Sequence, residues 1–493
     1  MNATTLPEVT KKEPKYVPAE WQADDIETLK SADYSANWSE MGCYKTSTLL
    51  WLIDAKLIDL DRNPKVLIIT TRTGKGTYFQ LAPEILEDWT ILNVNATNIQ
   101  WEFAGKLWPW DKGIPVDPNR PLIVVAHYNC FTNKSKMRLL LTQNHLWDFV
   151  ALDEAHRIKE KNTQWTRNIK RLNIGHRHVM TGTGFINKPS EIWSILNFLD
   201  KKRWPSHNHF KEFFCDFEDT GSGFTKEVGV KPERLEEFRA LVRSLGPRRT
   251  KVEVFKDLKE PVYTKIDIDL NPVQRKMYDE IKYQLMTLDK NGYPIHSPNV
   301  LSLLNRMRQI SVATPEVVRD YFDPVDQVRK IQVQLTEPSS KLDALIDIIE
   351  GLEWDDERHD QIVVFSNFKG PIELAKHRFD KKKISYIHME EKDSDSKRYE
   401  KWAIQFPKKE HQVFISTLQL GSESISLTTA QTLVFLDRSW SPKDNEQGIS
   451  RVWRPGQTQV PQVINIEARD TVDSRVLSIN QRKMGWFRDI FGD

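Results

Sequence analysis

Phe149-Val150-Ala151-Leu152-Asp153-Glu154-Ala155-His156 is the stretch on which the fold turns. An apolar run ends directly on two carboxylates and a histidine. A short continuous run of this kind reads as a strand buried on both faces, as in a parallel sheet covered by helices. Acids at the carboxyl end of such a strand stand where α/β sheets bind ligands, and a magnesium nucleotide suits two adjacent carboxylates there. A buried strand followed by a charged turn would look similar, so the octapeptide needs company.

The same rhythm recurs on either side. VLIITT (66–71) and LIVVA (122–126) precede it, and IVVF (362–365), VFIS (413–416) and LVFL (433–436) follow much later. Each run gives way to polar or helix-forming residues, which predicts repeated βα units and two α/β lobes. Between the lobes, from about residue 200 to 335, charge and aromatic content rise. Apolar positions there recur at helical spacing over Leu235–Leu245, Gln274–Leu288 and Val300–Ile310, with candidate loops at 219–229 and 290–298. Val472–Ile490 has helical spacing too. The expected organisation is a tail at 1–15, a first lobe at 16–200, helical insertions and an inter-lobe linker at 201–335, a second lobe at 336–471 and a brace helix at 472–493.

A chain of 493 residues exceeds what one hydrophobic core usually organises. Hydrophobic residues make up 39% and charged residues 28%, which excludes the disordered class. The net charge is only +2, so a grip on nucleic acid has to come from basic residues gathered on particular faces. Cys43, Cys130 and Cys215 stand far apart, which argues against a disulfide framework or a zinc site and for a reducing compartment. The first residues do not read as a secretory signal, and no run approaches a membrane span, so the cytoplasm is the expected setting.

Met41-Gly42-Cys43-Tyr44-Lys45-Thr46 supplies the company the acids need, because it opens a helix-compatible run, Ser47–Ala55. A loop entering a helix aims backbone N–H groups at phosphate oxygens. Gly42, Cys43, Tyr44, Lys45, Thr46 and Ser47 would form this cradle, with Lys45 reaching the β and γ phosphates and Thr46 the metal. The pattern GxxxxGK[ST] is nevertheless damaged. Ser39 and Tyr44 stand where its two glycines belong, and a Cβ at Tyr44 obstructs the close backbone approach that glycine permits. A second loop, Gly74-Lys75-Gly76-Thr77, lacks a serine or threonine after its lysine and reads as a loop near DNA phosphates or as a solvated turn.

Further motifs lie in a fixed order: MTGTGFINKPSEIWSILNFL (180–199), RRTK (248–251), LNPVQRKMYDEI (270–281), LLNRMRQI (303–310) and SSKLDALIDII (339–349). STLQLGSESISLTTAQTLVFLDRSWSP (416–442) and QGISRVWRPGQ (447–457) follow. Over roughly 16–480 their order and wording resemble the Swi/Snf family of superfamily-two helicase-like ATPases. The resemblance implies two RecA-like parallel-sheet lobes, a P-loop NTPase core with helical insertions, using ATP and Mg²⁺. It implies that Asp153 and Thr46 hold the metal, that Glu154 orients or deprotonates the attacking water, and that Gln22 in EWQADDI reads adenine. Thr181, Gly182 and Thr183 become the coupling motif. Arg451 and Arg454 become arginine fingers on the γ-phosphate, linked to the site by Gln447.

The implied activity is translocation on double-stranded DNA, gripped by its backbone without reading sequence. Candidate contacts are Thr71, Arg72, Lys75, His127, Tyr128, Asn367, Lys369, Thr417 and Ser422. Replication or recombination proteins are the expected partners, the chain acts as a monomer, and a bacterial or phage-infected cytoplasm is the expected setting. Gly184, Ser422, Ser424 and Trp453 depart from the family pattern, as Tyr44 does. The rival readings are a strand-separating DEAH helicase, including one acting on RNA, and a catalytically impaired DNA-binding regulator.

Overall fold

Val66, Leu67, Ile68 and Ile69 are wholly buried, as are Ile123, Val124, Val125 and Ala126 and the run Val150, Ala151 and Leu152. Strands that lose water on both faces need helices above and below, and this requirement organises the molecule. The structure is a computed structural model. It describes residues 16–491 except 72–73, 87, 95–99, 104–105, 110–119, 143–145, 183–187, 220, 222–224, 298, 324–327, 356 and 422–424. The chain divides into two units between Thr250 and Lys251, with 490–492 grouped with the first.

The first unit is built on strands β1 (Tyr34–Asn37), β2 (Lys65–Thr70), β3 (Thr90–Val94), β4 (Gln100–Phe103), β5 (Lys106–Pro109), β6 (Leu122–His127), β7 (Leu146–Asp153) and β8 (Asn173–Met180). They form one sheet in the order β1-β8-β7-β2-β6-β3-β4-β5. The pairs from β1 to β3 are parallel, and β4 and β5 add an antiparallel edge. Register brings the strand ends level: Thr70 pairs with His127, and Asp153 with Met180. A core of Leu49, Leu50, Ile53, Val66, Ile68, Ile123, Val125, Phe149 and Ala151 packs one helical layer on the sheet. After the first lobe come the hairpin of β9 (Cys215–Asp219) and β10 (Thr225–Val230) and the helix Leu235–Ser244.

The second unit carries a sheet in the order β11-β20-β19-β16-β18-β17, parallel throughout. Its strands are β11 (Val262–Ile268), β16 (Ile362–Ser366), β17 (Tyr386–His388), β18 (Val413–Thr417), β19 (Thr432–Phe435) and β20 (Gln462–Ala468). Hairpins β12 (Met286–Leu288) with β13 (Pro294–His296) and β14 (Thr314–Asp323) with β15 (Val328–Thr336) flank the helices Pro272–Gln284 and Val300–Val312. Alternate-strand repeats of this parallel kind give two RecA-like α/β lobes.

The stretch expected to be helical between the lobes is therefore mixed. Helices stand at Leu235–Ser244, Pro272–Gln284 and Val300–Val312, near where the spacing predicts, but β9 to β15 interleave with them: Met286–Leu288 is β12, 225–229 belongs to β10 and Pro294–His296 is β13. β11 joins the second lobe's sheet beside β20. Its sequence, VYTKIDI, alternates with period two, and its exposed edge position allows charges that mask a strand.

Buried ion pairs fasten the second unit. Lys341, with no exposed surface, donates to the Leu436 carbonyl at 2.8 Å and pairs with Asp473 at 2.6 Å. Arg308 binds Asp437 at 3.1 Å and the Arg438 carbonyl at 2.7 Å. Arg308 fixes the inserted helix Val300–Val312 and Lys341 the helix Ser340–Glu350 to the segment that follows β19, and removing one partner of such a pair leaves a charge stranded, at a cost of about 3–5 kcal/mol. Among the described residues no helix is long and apolar enough to cross a membrane.

Candidate nucleotide site

The phosphate loop begins at the end of β1 and finishes on the helix Lys45–Leu57. No side chain caps that helix and no acid occupies its first turn, so its positive end is open to an anion. Gly42 takes φ +89°, as glycine does readily. Tyr44, the N-cap, takes φ +46° and is 51% exposed. The expected obstruction at Tyr44 thus becomes backbone strain, since a left-handed conformation costs a residue with a Cβ about 1–2 kcal/mol. The Lys45 ammonium donates to the Ser39 and Glu40 carbonyls, both at 2.7 Å. Burial pushes its pKa down, while Cys43, Glu154 and Asp153 push it back up.

Asp153 closes β7 beneath this loop. Its Oδ2 accepts from Thr70 Oγ1 at 2.8 Å, and its carbonyl accepts from the Tyr128 hydroxyl at 2.7 Å. Burial, and then the neighbouring Glu154, lift its pKa to about 6. Thr46 and Asp153 both border the Tyr78 hydroxyl, and burial raises that phenol well above its ordinary value. Gly74 is fixed by the same crowd: a Cβ there would lie 2.4 Å from Thr70 Oγ1. Thr70, Gly74 and Tyr78 are residues of this site that sequence reasoning missed, because nothing in VLIITT or GKGTY marks a contact with residue 153.

Glu154 stands just past the strand with φ +53°, and its carboxylate lies 3.1 Å from His156 Nδ1. His156 Nδ1 is also 3.3 Å from the hydroxyl of buried Thr181. Gly182 touches the phosphate loop itself, since a Cβ there would sit 3.2 Å from the Ser39 carbonyl and 3.3 Å from the Met41 nitrogen. Gln22 is buried, donates to Thr48 Oγ1 at 2.9 Å and Ser47 Oγ at 3.3 Å, and accepts from the Ala19 N–H at 3.1 Å. The first unit thus gathers Gln22, Gly42, Cys43, Lys45, Thr46, Ser47, Asp153, Glu154, Thr181 and Gly182 around one loop. Thr183 and Gly184 lie outside the described residues.

A second backbone segment lines this loop. Ala36, Trp38 and Glu40 donate their N–H groups to the carbonyls of Leu245, Pro247 and Arg249 at 2.7, 2.9 and 2.9 Å. Arg249 also forks onto Asp25, its Nη2 at 2.7 Å, and its own N–H donates to Ser39 Oγ at 3.1 Å. Arg248 Nη1 donates to the Trp38 carbonyl at 3.2 Å, so both arginines of RRTK are walls of the phosphate loop.

Arg451, Arg454 and Gln447 belong to the second unit, on or just after the helix Pro442–Val452. Arg451 and Arg454 both donate to the Ile425 carbonyl, at 3.5 and 3.0 Å. In the same unit, buried Lys251 donates to Ser450 Oγ at 3.0 Å and the Trp453 carbonyl at 2.8 Å, with its ammonium 4.3 Å from the Trp453 ring centroid. Trp453, which departs from the family pattern, packs against the core of the second lobe and under the Lys251 ammonium. Lys251 gains a role that RRTK alone does not reveal.

The residues expected to touch DNA are placed unevenly. Lys369 is exposed and pairs with Glu391 at 2.8 Å. Thr71 accepts from the Gly74 N–H at 3.0 Å, and His127 Nδ1 from the Asn129 N–H at 3.0 Å. Lys75 donates to Asn93 Oδ1 at 2.8 Å, Asn367 Nδ2 to Asp437 Oδ1 at 2.8 Å, and Thr417 is buried. Tyr128 requires a correction: only 1% exposed, it braces Asp153 and has no face to offer a duplex. Arg72, Ser422 and Ser424 lie outside the described residues.

Comparisons with known proteins agree with this layout. Residues 112–332 match the model of the SNF2-related domain, and 340–456 match the helicase conserved C-terminal domain. An uncharacterized ATP-dependent helicase of Mycoplasma pneumoniae is 25% identical over 452 residues, covering 90% of this chain and 39% of that protein. Human chromodomain-helicase-DNA-binding protein 7 is 23% identical over 359 residues, 70% of this chain and 11% of that one. The chain thus spans well under half the length of these relatives. A solved Sulfolobus solfataricus SWI2/SNF2 ATPase core in complex with dsDNA aligns with 98% of this chain and 95% of its own, at 18% identity and a TM-score of 0.43. With one matched model directly following the other along residues 112–456, the chain belongs to the SNF2-related family.

Proposed function

We propose that the protein is a DNA-dependent ATPase that translocates on double-stranded DNA and remodels DNA structures or protein–DNA complexes without separating strands. The observation that carries this reading is the meeting of Lys45, Asp153 and Glu154 at one open helix end, in a charge field that a triphosphate completes. Phosphoryl transfer asks little covalent chemistry of a protein and much positioning of charge. In this reading Lys45 leaves its two loop carbonyls for phosphate oxygens, and Glu154, steered by His156, orients the attacking water. Arg451 and Arg454 offset the charge that develops on the transferred group.

The chemistry of the donors fits Mg²⁺, which favours one or two protein oxygens plus phosphates. The Asp153 carboxylate and the Thr46 hydroxyl would hold it, and when bound it supplies neutralising charge. Gln22 would face the base, from its place beside the first turn of the loop helix.

ATP turnover measured without nucleic acid and with single-stranded DNA, duplex, fork and RNA tests the reading. Duplex is expected to stimulate most, with no strand displacement; robust unwinding of a tailed duplex makes the protein a strand-separating helicase instead. The left-handed Tyr44 favours one second reading, a DNA-binding regulator with impaired hydrolysis. That reading requires duplex-independent, negligible turnover and a Lys45→Ala variant that behaves like the parent protein.

A further inference from the structure

Trp193, at the start of the helix Trp193–Leu199, is 93% withdrawn from solvent by its 7% exposure, yet its indole N–H has no acceptor among the described residues. A buried donor left unmade costs free energy, so its surroundings are informative. They are cationic. Lys170 Nζ lies 4.8 Å from the indole centroid and Lys161 Nζ 5.8 Å, and the His207 ring stands edge-on at 5.0 Å. Lys170 donates to Ser194 Oγ at 2.9 Å and Lys161 to His207 Nδ1 at 3.1 Å. Each ammonium has three protons to give.

Among the described residues, two carboxylates of this region have other partners. Glu191 accepts from Lys159 at 3.2 Å, and Asp200 accepts the N–H groups of Lys202 and Arg203, both at 3.0 Å. Burial, together with Lys161 and Lys201, drives the Lys170 pKa down to about 7. Burial with Lys161, Lys211 and Lys170 drives His207 to about 4. These are the marks of like charges assembled without a counterion. An oxyanion carrying several acceptors would relieve them together.

We propose that Lys161, Lys170, Lys201 and Trp193 form a second anion site on the first unit, which takes a phosphate group. It shares no residue with the phosphate loop and does not rest on the ATPase reading. The phosphate comes either from a small phosphate or nucleotide or from a nucleic-acid backbone.

Acetylation of individual lysines in the full chain, followed by mass spectrometry at neutral pH, separates these cases. The Lys45→Ala background removes the loop as a competing site, and Lys276, 77% exposed on another unit, is the internal control. Excess orthophosphate at matched ionic strength is expected to slow Lys170 modification by about fivefold or more, leaving Lys276 unaffected. Protection by ATP and orthophosphate but not duplex assigns a small phosphate, and protection by duplex at lower total phosphate assigns a backbone. The protection should vanish in Lys161→Gln/Lys201→Gln, two exposed changes that spare the fold. The proposal is overturned if orthophosphate, ATP and duplex all leave the Lys170 rate unchanged, if only a polyglutamate slows it, or if the double variant is protected like its parent.

Discussion

Lys45 and Lys251 are both lysines drawn out of water, and they are held in opposite ways. Lys45 rests on two carbonyls of its own loop, opposite acids whose charge it does not quench. Lys251 reaches to residues 199 and 202 positions away and completes its shell with a hydroxyl, a carbonyl and an indole face. The first arrangement exchanges its partners when a ligand arrives. The second is architecture, since nothing about it is improved by a ligand. In the proposed function similar cations thus serve as chemistry in one unit and as scaffold in the other, and it is the partners that tell them apart.

The widest expected effect comes from the arginine turn that Lys251 supports. Arg454→Ala should lower ATP turnover by about 10³-fold or more while leaving equilibrium nucleotide binding intact. Turnover within tenfold of the parent would show that the turn carries no chemistry, and the comparison would collapse. Lys251→Met removes the scaffold alone. Misplacing Arg451 and Arg454 by an ångström should cost about 10–100-fold in kcat with little change in KM, whereas a merely structural lysine would lower thermal stability and spare kcat.

Asp153 sharpens the contrast from the other side. Its folded pKa of about 6 lies above the ordinary carboxylate value, because burial and Glu154 disfavour the charge. The stability this group contributes is full below about pH 4 and is lost as pH rises through about 6. Asp153→Asn, which does not ionise, should therefore melt higher than the nucleotide-free parent at pH 7.5, by about 1–3 kcal/mol, with the gap narrowing toward pH 4. A gap independent of pH would mean that Asp153 is not strained by its site. The smallest effect belongs to Tyr44→Gly. Relief of left-handed strain and the added freedom of the unfolded chain nearly offset each other, so stability should change by less than about 1 kcal/mol. Nucleotide affinity, read by calorimetry, should nevertheless rise severalfold; unchanged affinity would show that the loop tolerates its tyrosine.

Continuous apolar runs made the central strands legible, because burial on both faces leaves polar residues no place in them. β8, NIGHRHVM, was illegible for the opposite reason: His178 is buried there and its Nδ1 bonds Ser35 Oγ at 2.8 Å, a satisfaction that only the folded sheet supplies. β11 hid behind its exposed charges. In the site, Asp153, Glu154, Lys45 and Thr46 could be read because strand end and helix start announce themselves locally. The braces Thr70, Tyr78 and Tyr128 could not, since each meets residue 153 through register and packing. Tyr128 reads in sequence as a DNA contact because a residue next to a strand end looks alike whether it faces inward or outward.

The segment Leu245 to Arg249 lies hydrogen-bonded along Ala36 to Glu40, and the chain leaves the first unit one residue later. Tension applied to the polypeptide at that exit is delivered first to the backbone that carries the Lys45 acceptors. Under the proposed function, nucleotide release should therefore respond to load at that exit, and a single molecule stretched through residue 250 is expected to lose nucleotide at lower force than it loses the central strands of the sheet.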